Sequence, residues 1–126
     1  MVKKKKPFTV NVAGVPYTIH MGTLEEYPIL KKNKSCGLCD YSIKSIWVHD
    51  ARMDKFSLGD MQNQKYLTDI TLRHELIHAY LHESGQEDYA EDETLVEFLA
   101  LSLEKMYGIC KDAGAINLCQ SVRKAA

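Results

Sequence analysis

The sequence has no long hydrophobic run, and this absence excludes a membrane-spanning protein. No stretch of its 126 residues approaches the ~20 consecutive apolar residues with which a helix crosses a bilayer. The first ten residues, MVKKKKPFTV, also lack the apolar segment of a secretory signal peptide. We therefore expect a cytoplasmic protein with no membrane partner.

An excess of charge of one sign is lacking as well. The chain has 16 basic and 17 acidic residues and a formal net charge of −1. No general positive field is available to attract DNA or RNA, so we expect no nucleic-acid partner. The local basic run Lys3 to Lys6 is interpreted as part of a flexible tail over residues 1–6. The whole chain, 1–126, is the right length for a single domain.

Cysteine is scarce, at four residues: Cys36, Cys39, Cys110 and Cys119. In a reducing compartment these residues are free thiols or metal ligands rather than disulfides. Cys36 and Cys39 have the spacing of half a zinc site or of a redox pair. Cys110 and Cys119 are too far apart in sequence to complete a zinc ribbon. Unpaired thiols are the favoured interpretation, and a second, structural metal ion is the alternative.

The first half of the chain predicts strands. Apolar and polar residues alternate over 8–20 on both sides of Ala13-Gly14, which predicts a hairpin. The alternating, β-branched and aromatic stretch 41–48 predicts a further strand. Thr23 opens a Thr-Leu-Glu-Glu stretch that favours a short helix. We expect these strands to form a small antiparallel sheet.

The second half predicts helices, which gives an α+β fold. One helix is expected from about Thr68, as its N-cap, to Glu83, with Gly85 as the stop. Another is expected from Asp88 or Tyr89 to Tyr107, ended by Gly108. Residues 109–126 are expected to add a short final helix. The sheet should pack on the two longer helices.

The first of these helices carries His74-Glu75-Leu-Ile-His78, a pattern with a chemical meaning. Side chains four residues apart on a helix lie on one face, with Cβ atoms about 5–6 Å apart. His74 and His78 can therefore bind one zinc ion together, through bonds of about 2.0–2.1 Å. Glu75 lies beside the open coordination position, where it can act as the general base on zinc-bound water.

A zinc site of this kind needs a third protein ligand. His82 is disfavoured, because the helix rises about 12 Å over the eight residues from His74 and contains no glycine that would bend it. The second helix offers Glu93 and Glu97, again four residues apart and beside the apolar Val96. We predict that Glu93 binds the metal and that Glu97 orients a histidine through its other ring nitrogen, with the reverse assignment of the two glutamates as the alternative.

These residues resemble the gluzincin metallopeptidases, whose pattern is His-Glu-x-x-His followed by Glu-x-x-x-Asp on a later helix. The chain has Glu97 where that family usually has Asp. Its short length is more similar to the compact ImmA/IrrE-type peptidases, or to small zinc peptidases encoded by phages. The resemblance covers about residues 40–105.

The resemblance implies a zinc metalloendopeptidase with one Zn²⁺ per chain that cleaves an intracellular protein, in the host cytoplasm if the chain is phage-encoded. It implies that Trp47-Val48-His49 is the sheet edge to which an extended peptide substrate adds as a strand. The residue that stabilises the developing oxyanion is left open among His49, Arg73, Tyr80 and Tyr89. A metal-containing binding module with weak or no catalysis is the main alternative. A DNA-associated, SprT-like protease is disfavoured by the acidic third ligand and the net charge.

Overall fold

The sheet of this protein has four strands in the order β1-β2-β4-β3. The computed structural model describes residues 5–53 and 61–117. The strands are β1 (Phe8–Val12), β2 (Val15–Gly22), β3 (Gly37–Asp40) and β4 (Ser45–His49). The helices are α1 (Pro28–Lys32), α2 (Met61–Glu83), α3 (Glu87–Ala90) and α4 (Glu93–Asp112), with one 3-10 turn at Ala51–Met53. The predicted α+β class is confirmed.

The N-terminal hairpin forms as predicted. β1 and β2 pair antiparallel, and Val12 lies opposite Val15 across the turn. Ala13 and Gly14 both have positive φ, 50° and 92°, as a two-residue hairpin turn of this hand requires. The amide of Gly14 donates to the side chain of Asn11 at 2.8 Å, which closes the turn. Of the basic run before the hairpin, Lys3 and Lys4 lie outside the described residues.

The sheet is mixed, so the expectation of a purely antiparallel sheet is wrong in one pairing. β2 and β4 run parallel, because the chain crosses over through α1 between them. The strand predicted at 41–48 is also displaced. Residues 41–44 form a turn in which Asp40 accepts hydrogen bonds from the amide and hydroxyl of Ser42, at 3.0 and 2.6 Å. Lys44 has a φ of 52°, and β4 follows from Ser45.

The order of the strands also corrects the predicted substrate edge. β4, which carries Trp47-Val48-His49, pairs with β2 on one side and with β3 on the other. It has no unpaired edge to which a peptide could add. The edge strand at this end of the sheet is β3.

The helices differ from prediction mainly at their ends. α2 already includes Thr68, whose hydroxyl donates to the carbonyl of Gln64 inside the helix, so Thr68 is not the N-cap. Gly85 has a φ of 79° just after α2, as predicted for the stop. The second predicted helix is broken in two, and Gly108 lies inside α4 rather than at its end. Residues 113–117 are not helical, and the remainder of the predicted final helix lies outside the described residues.

The core lies between one face of the sheet and α2. Tyr17, Ile19, Ile46 and Val48 of the sheet are fully buried, and Ala79 of α2 packs against them. Leu72 and Leu76 of α2 add to this cluster. α4 packs on another face of α2 through Val96 and Ala100, which are also fully buried. α2 is therefore held by the sheet on one side and by α4 on another, and a third side of the helix borders a cleft.

The cysteines of the described residues form no disulfide. Cys36, Cys39 and Cys110 are free thiols, while Cys119 lies outside the described residues. Cys39 lies in β3, and three residues of extended chain span about 10 Å, too far for a disulfide to Cys36.

None of the described helices is long and apolar enough to cross a membrane.

Candidate metal centre

Helix α2 presents three kinds of surface, and the candidate site lies where two of them meet. Leu72, Leu76 and Ala79 face the sheet. His74 and His78 face α3 and α4, four residues apart and on one side of the helix, as predicted. Glu75 is rotated about 100° from His74 around the helix and faces β3. The histidine pair and the glutamate therefore border one cleft from adjacent sides.

The donor atoms of three side chains converge at this point. The carboxylate of Glu93 lies 3.2 Å from Nε2 of His74 and 2.8 Å from Nε2 of His78. The two Nε2 atoms are themselves 3.2 Å apart. Donor atoms around a tetrahedral zinc ion, with bonds of about 2.0–2.1 Å, stand roughly 3.3 Å apart. Among the described residues, this is the group of histidine, cysteine and acidic side chains that could share one metal ion.

The other nitrogen of each ring is already occupied. Nδ1 of His78 lies 2.7 Å from the carbonyl oxygen of Ala90, and Nδ1 of His74 lies 3.2 Å from the carboxylate of Glu97. Since a carbonyl oxygen can only accept, Nδ1 of His78 must carry the proton. A neutral His78 then turns its Nε2 lone pair toward the carboxylate of Glu93 and the ring of His74. A proton or a metal ion between these groups would offset the repulsion between their lone pairs.

The break between α3 and α4 produces two of these contacts. Ala90 ends α3, so its carbonyl is not used by a continuing helix and can accept from His78. Asp92 then caps α4 by accepting from the amide of Leu95 at 3.1 Å. Glu93 is the first residue of α4, and it is 70% exposed although its carboxylate contacts both rings. The site is thus open on the side of Glu93.

The far side of the helix pair is held by Arg73. Its guanidinium donates to the carbonyl of Ala100 at 2.9 Å and to the carboxylate of Glu104 at 2.6 Å. This contact fixes α4 along α2 about one turn away from Glu97. It therefore keeps Glu93 and Glu97 in register with the two histidines.

Glu75 lies in a different environment from the other acidic residues of the site. It is only 7% exposed, because β3 passes directly over it at Gly37. Burial raises its pKa to about 7; the nearby Glu93 and Glu97 act in the same direction, and His74 opposes them. A carboxylate with this pKa can both take up and release a proton near neutral pH, which is what a general base and acid requires.

A cleft of about 400 Å³ lies over these groups. Its walls come from β3, from the loop after α1, from α2 and from the start of α4. Gly37 and Tyr41 line it, and sequence reasoning missed both. Neither residue belongs to a recognisable motif, and a glycine before a strand is a weak signal of close packing.

His82 does not join the group formed by His74, His78 and Glu93, as the rise of the helix predicts. Its ring stacks on that of Tyr41, with centroids 3.9 Å apart and an interplanar angle of 0°. It also forms an ion pair with Glu87 of α3. His82 therefore contacts the wall of the cleft and not the candidate metal position.

The four residues considered for the oxyanion do not lie in the cleft. Tyr80 and Tyr89 are 56% and 54% exposed and are not among its lining residues. Arg73 is engaged with α4, as described above. His49 alternates with the buried Val48 in β4 and so projects from the opposite face of the sheet.

Comparison of the chain with protein families, with curated proteins and with solved structures gave no match.

Proposed function

We propose that this protein is a zinc-dependent metallopeptidase that hydrolyses a peptide bond in an intracellular protein. The observation that carries the proposal is the convergence of Nε2 of His74, Nε2 of His78 and the carboxylate of Glu93, while both Nδ1 atoms are occupied. The proposal is supported because the ligand atoms of these three side chains lie within 4.8 Å of one another, close enough to bind one divalent cation.

The residues fit Zn²⁺ in both donor type and support. Two imidazoles and one carboxylate are the ligand set of many catalytic zinc sites, and such sites keep a further position open. Partners on the outer ring nitrogens, here Glu97 and the carbonyl of Ala90, orient such ligands and tune their basicity. Zn²⁺ bound by this set supplies a Lewis acid that makes water a stronger nucleophile and polarises a carbonyl group.

Glu75 performs the proton transfers in this proposal. It accepts a proton from the attacking water while the water oxygen bonds to the carbonyl carbon and the carbonyl electron pair moves onto oxygen. The pair then returns, the bond from carbon to nitrogen breaks, and Glu75 delivers the proton to the leaving nitrogen. Its buried position and its pKa of about 7 support both roles.

The substrate is proposed to lie along β3 rather than along β4. β3 is one of the two edge strands of the sheet, and its residue Gly37 lies against Glu75. An extended peptide that adds to this edge would pass over the cleft, with main-chain hydrogen bonds that do not depend on its side chains. The exposed position of Glu93 leaves the opposite wall of the cleft accessible to the peptide.

The test combines metal analysis with hydrolysis. Protein is purified in the presence of zinc and dialysed, and its zinc content is measured by mass spectrometry. Hydrolysis by the same preparation is measured with a mixture of quenched fluorogenic peptides. We expect one zinc per chain in the parent and in Glu75→Gln, and little in His78→Ala and Glu93→Ala. Asp69→Asn, which removes an exposed carboxylate of α2 paired with Lys65, is the control and should retain both zinc and activity.

Two results would overturn the proposal in different ways. Hydrolysis by Glu75→Gln at the rate of the parent would remove Glu75 from the mechanism. A parent that binds one zinc but cleaves no peptide or protein would favour the alternative, a binding module that uses the metal for structure.

A further inference from the structure

The proposed reaction needs a hydrogen-bond donor for the carbonyl oxygen, and the cleft contains one. We propose that the hydroxyl of Tyr41 donates a hydrogen bond to the carbonyl oxygen of the bond to be cleaved. This inference rests on the proposed function and assigns a second catalytic residue to the same site. It replaces the four candidates named from the sequence, because none of these lies in the cleft.

Tyr41 is placed by the turn that follows the edge strand. β3 ends at Asp40, and Asp40 holds the turn through its two hydrogen bonds with Ser42. Tyr41 lines the same cleft as His74, Glu75 and His78. A peptide that lies along β3 would therefore meet Tyr41 at the end of the strand.

The ring of Tyr41 is held in position by α2. It stacks face to face on His82 at 3.9 Å, and His82 is tied to Glu87 by an ion pair. Nearby, the carboxylate of Glu83 accepts hydrogen bonds from Tyr17 and Lys44, both at 2.6 Å, which ties the end of α2 to the sheet and to the turn. A donor with a fixed ring does not lose rotational freedom when the substrate binds.

The hydroxyl of Tyr41 is available to a substrate. Within the described ranges it makes no hydrogen bond to another protein group. Burial raises its pKa above the ordinary value of a tyrosine, and the carboxylates of Glu91 and Glu87 add to that effect. Tyr41 therefore keeps its proton near neutral pH, where its hydroxyl can donate a hydrogen bond.

The chemistry assigned to Tyr41 involves no proton transfer. When the water oxygen bonds to the carbonyl carbon, an electron pair moves onto the carbonyl oxygen, and the hydrogen bond from Tyr41 strengthens as the negative charge grows. When the bond from carbon to nitrogen breaks, the pair returns and the hydrogen bond weakens again. Removal of one donor of this kind typically lowers kcat by about 10²–10³-fold.

The test is Tyr41→Phe, which keeps the ring on His82 and removes only the hydroxyl. Parent, Tyr41→Phe and Glu75→Gln are compared on the fluorogenic peptides, with zinc content and Tm measured for each. We expect kcat of Tyr41→Phe to fall by about 10²–10³-fold, with KM within threefold of the parent and unchanged zinc content. Tyr80→Phe, which removes an exposed hydroxyl from α2, is the control and should behave as the parent.

The outcomes separate this inference from the proposed function. If the parent cleaves peptides faster than Glu75→Gln and Tyr41→Phe cleaves as fast as the parent, the role of Tyr41 is wrong and the peptidase stands. If the parent is no faster than Glu75→Gln, the peptidase proposal fails and the role of Tyr41 falls with it. If Tyr41→Phe has a lowered Tm, binding is measured below that temperature instead, and the affinities of a phosphinic peptide and of the matching substrate peptide are compared between Glu75→Gln and the double variant Glu75→Gln/Tyr41→Phe. Loss of Tyr41 should weaken the tetrahedral analogue at least tenfold more than the peptide, and equal weakening of both would refute the inference.

Discussion

Substitution of Gly37 by alanine tests how closely β3 is packed on the proposed general base. A Cβ atom at position 37 would lie 2.9 Å from both Cγ and Oε2 of Glu75, and 2.9 Å from Cγ2 of Thr71. Ordinary van der Waals contacts at such a position are 3.4–4 Å long. Three atoms must therefore move by at least about half an ångström, or β3 must move away from α2.

The loss of stability and of activity in Gly37→Ala depends on which of the surrounding groups can move. Overpacking a buried contact costs about 1–3 kcal/mol when the surroundings stay in place, and a loss of this kind lowers Tm by roughly 4 °C per kcal/mol in a domain of this size. The side chain of Glu75 can relieve part of this strain by rotating out of position. A displacement of about 1 Å at a catalytic group then lowers the rate by about 100-fold.

The assay for Gly37→Ala measures stability, zinc content and peptide hydrolysis on the same preparation. We expect lower Tm or strongly reduced hydrolysis, and no loss of zinc, because the atoms nearest to the new methyl group belong to Glu75 and Thr71 and not to the proposed metal ligands. Gly108→Ala is the matched control: position 108 has no atom within 4 Å of the added Cβ and lies inside α4. That substitution should leave hydrolysis unchanged and stabilise the helix by about 0.5–1 kcal/mol. A Gly37→Ala protein as stable and as active as the parent would refute the close packing of β3 on Glu75.

Three further predictions concern groups around the site and the corner of the sheet. Glu97→Gln should weaken zinc binding by about 10–100-fold in competition with a chelator, since it removes the charge that orients His74; unchanged affinity would exclude this role. The buried Asp50 has a lowered pKa, because its hydrogen bonds and ion pair with Arg52 outweigh the effect of burial. Its contribution to stability is therefore complete above the ordinary pKa of aspartate and is lost as the pH falls through the lower, folded value. In urea titrations at pH 2–7, Asp50→Asn should be less stable than the parent near neutrality by about 1–3 kcal/mol, with a smaller loss at low pH, and parallel curves would contradict this assignment. His82→Ala should lower kcat in the parent but not in Tyr41→Phe, whereas equal effects in both backgrounds would mean that His82 does not act through Tyr41.

The sequence is informative about the site wherever the geometry is local. His74 and His78 lie on one face of α2 because four residues make about one turn of any helix, whatever surrounds it. The same rule places Glu93 and Glu97 together on α4. The structure brings all four residues into contact, while their function as ligands and ligand partners remains a prediction.

The errors arise where packing between distant segments decides the structure. The alternation over 41–48 continues through the turn at Tyr41 to Lys44, because exposed turn residues and exposed strand residues have the same polarity. The parallel pairing of β2 with β4 depends on the crossover through α1, which no local pattern specifies. Gly37 acquires its importance only when β3 lies on α2, and the contribution of Ala90 is a backbone carbonyl that any residue type could supply.

Glu93 comes from α4, whereas His74 and His78 come from α2, and this difference affects the stability of the fold. A cluster built from one helix would leave α4 free, but here Glu93 and the carbonyl of Ala90 come from the segment that packs on α2. A cation bound at the cluster would therefore hold the start of α4 against α2, and Arg73 holds the helix pair further along. Because the ion then binds the folded arrangement and not the separated helices, its binding free energy adds to the stability of the fold as RT ln(1 + [L]/Kd), about 2.7 kcal/mol at 100 times Kd. The fully buried apolar contact of α4 with α2 is small, consisting mainly of Val96 and Ala100, so a contribution of that size is significant for keeping Glu93 in place.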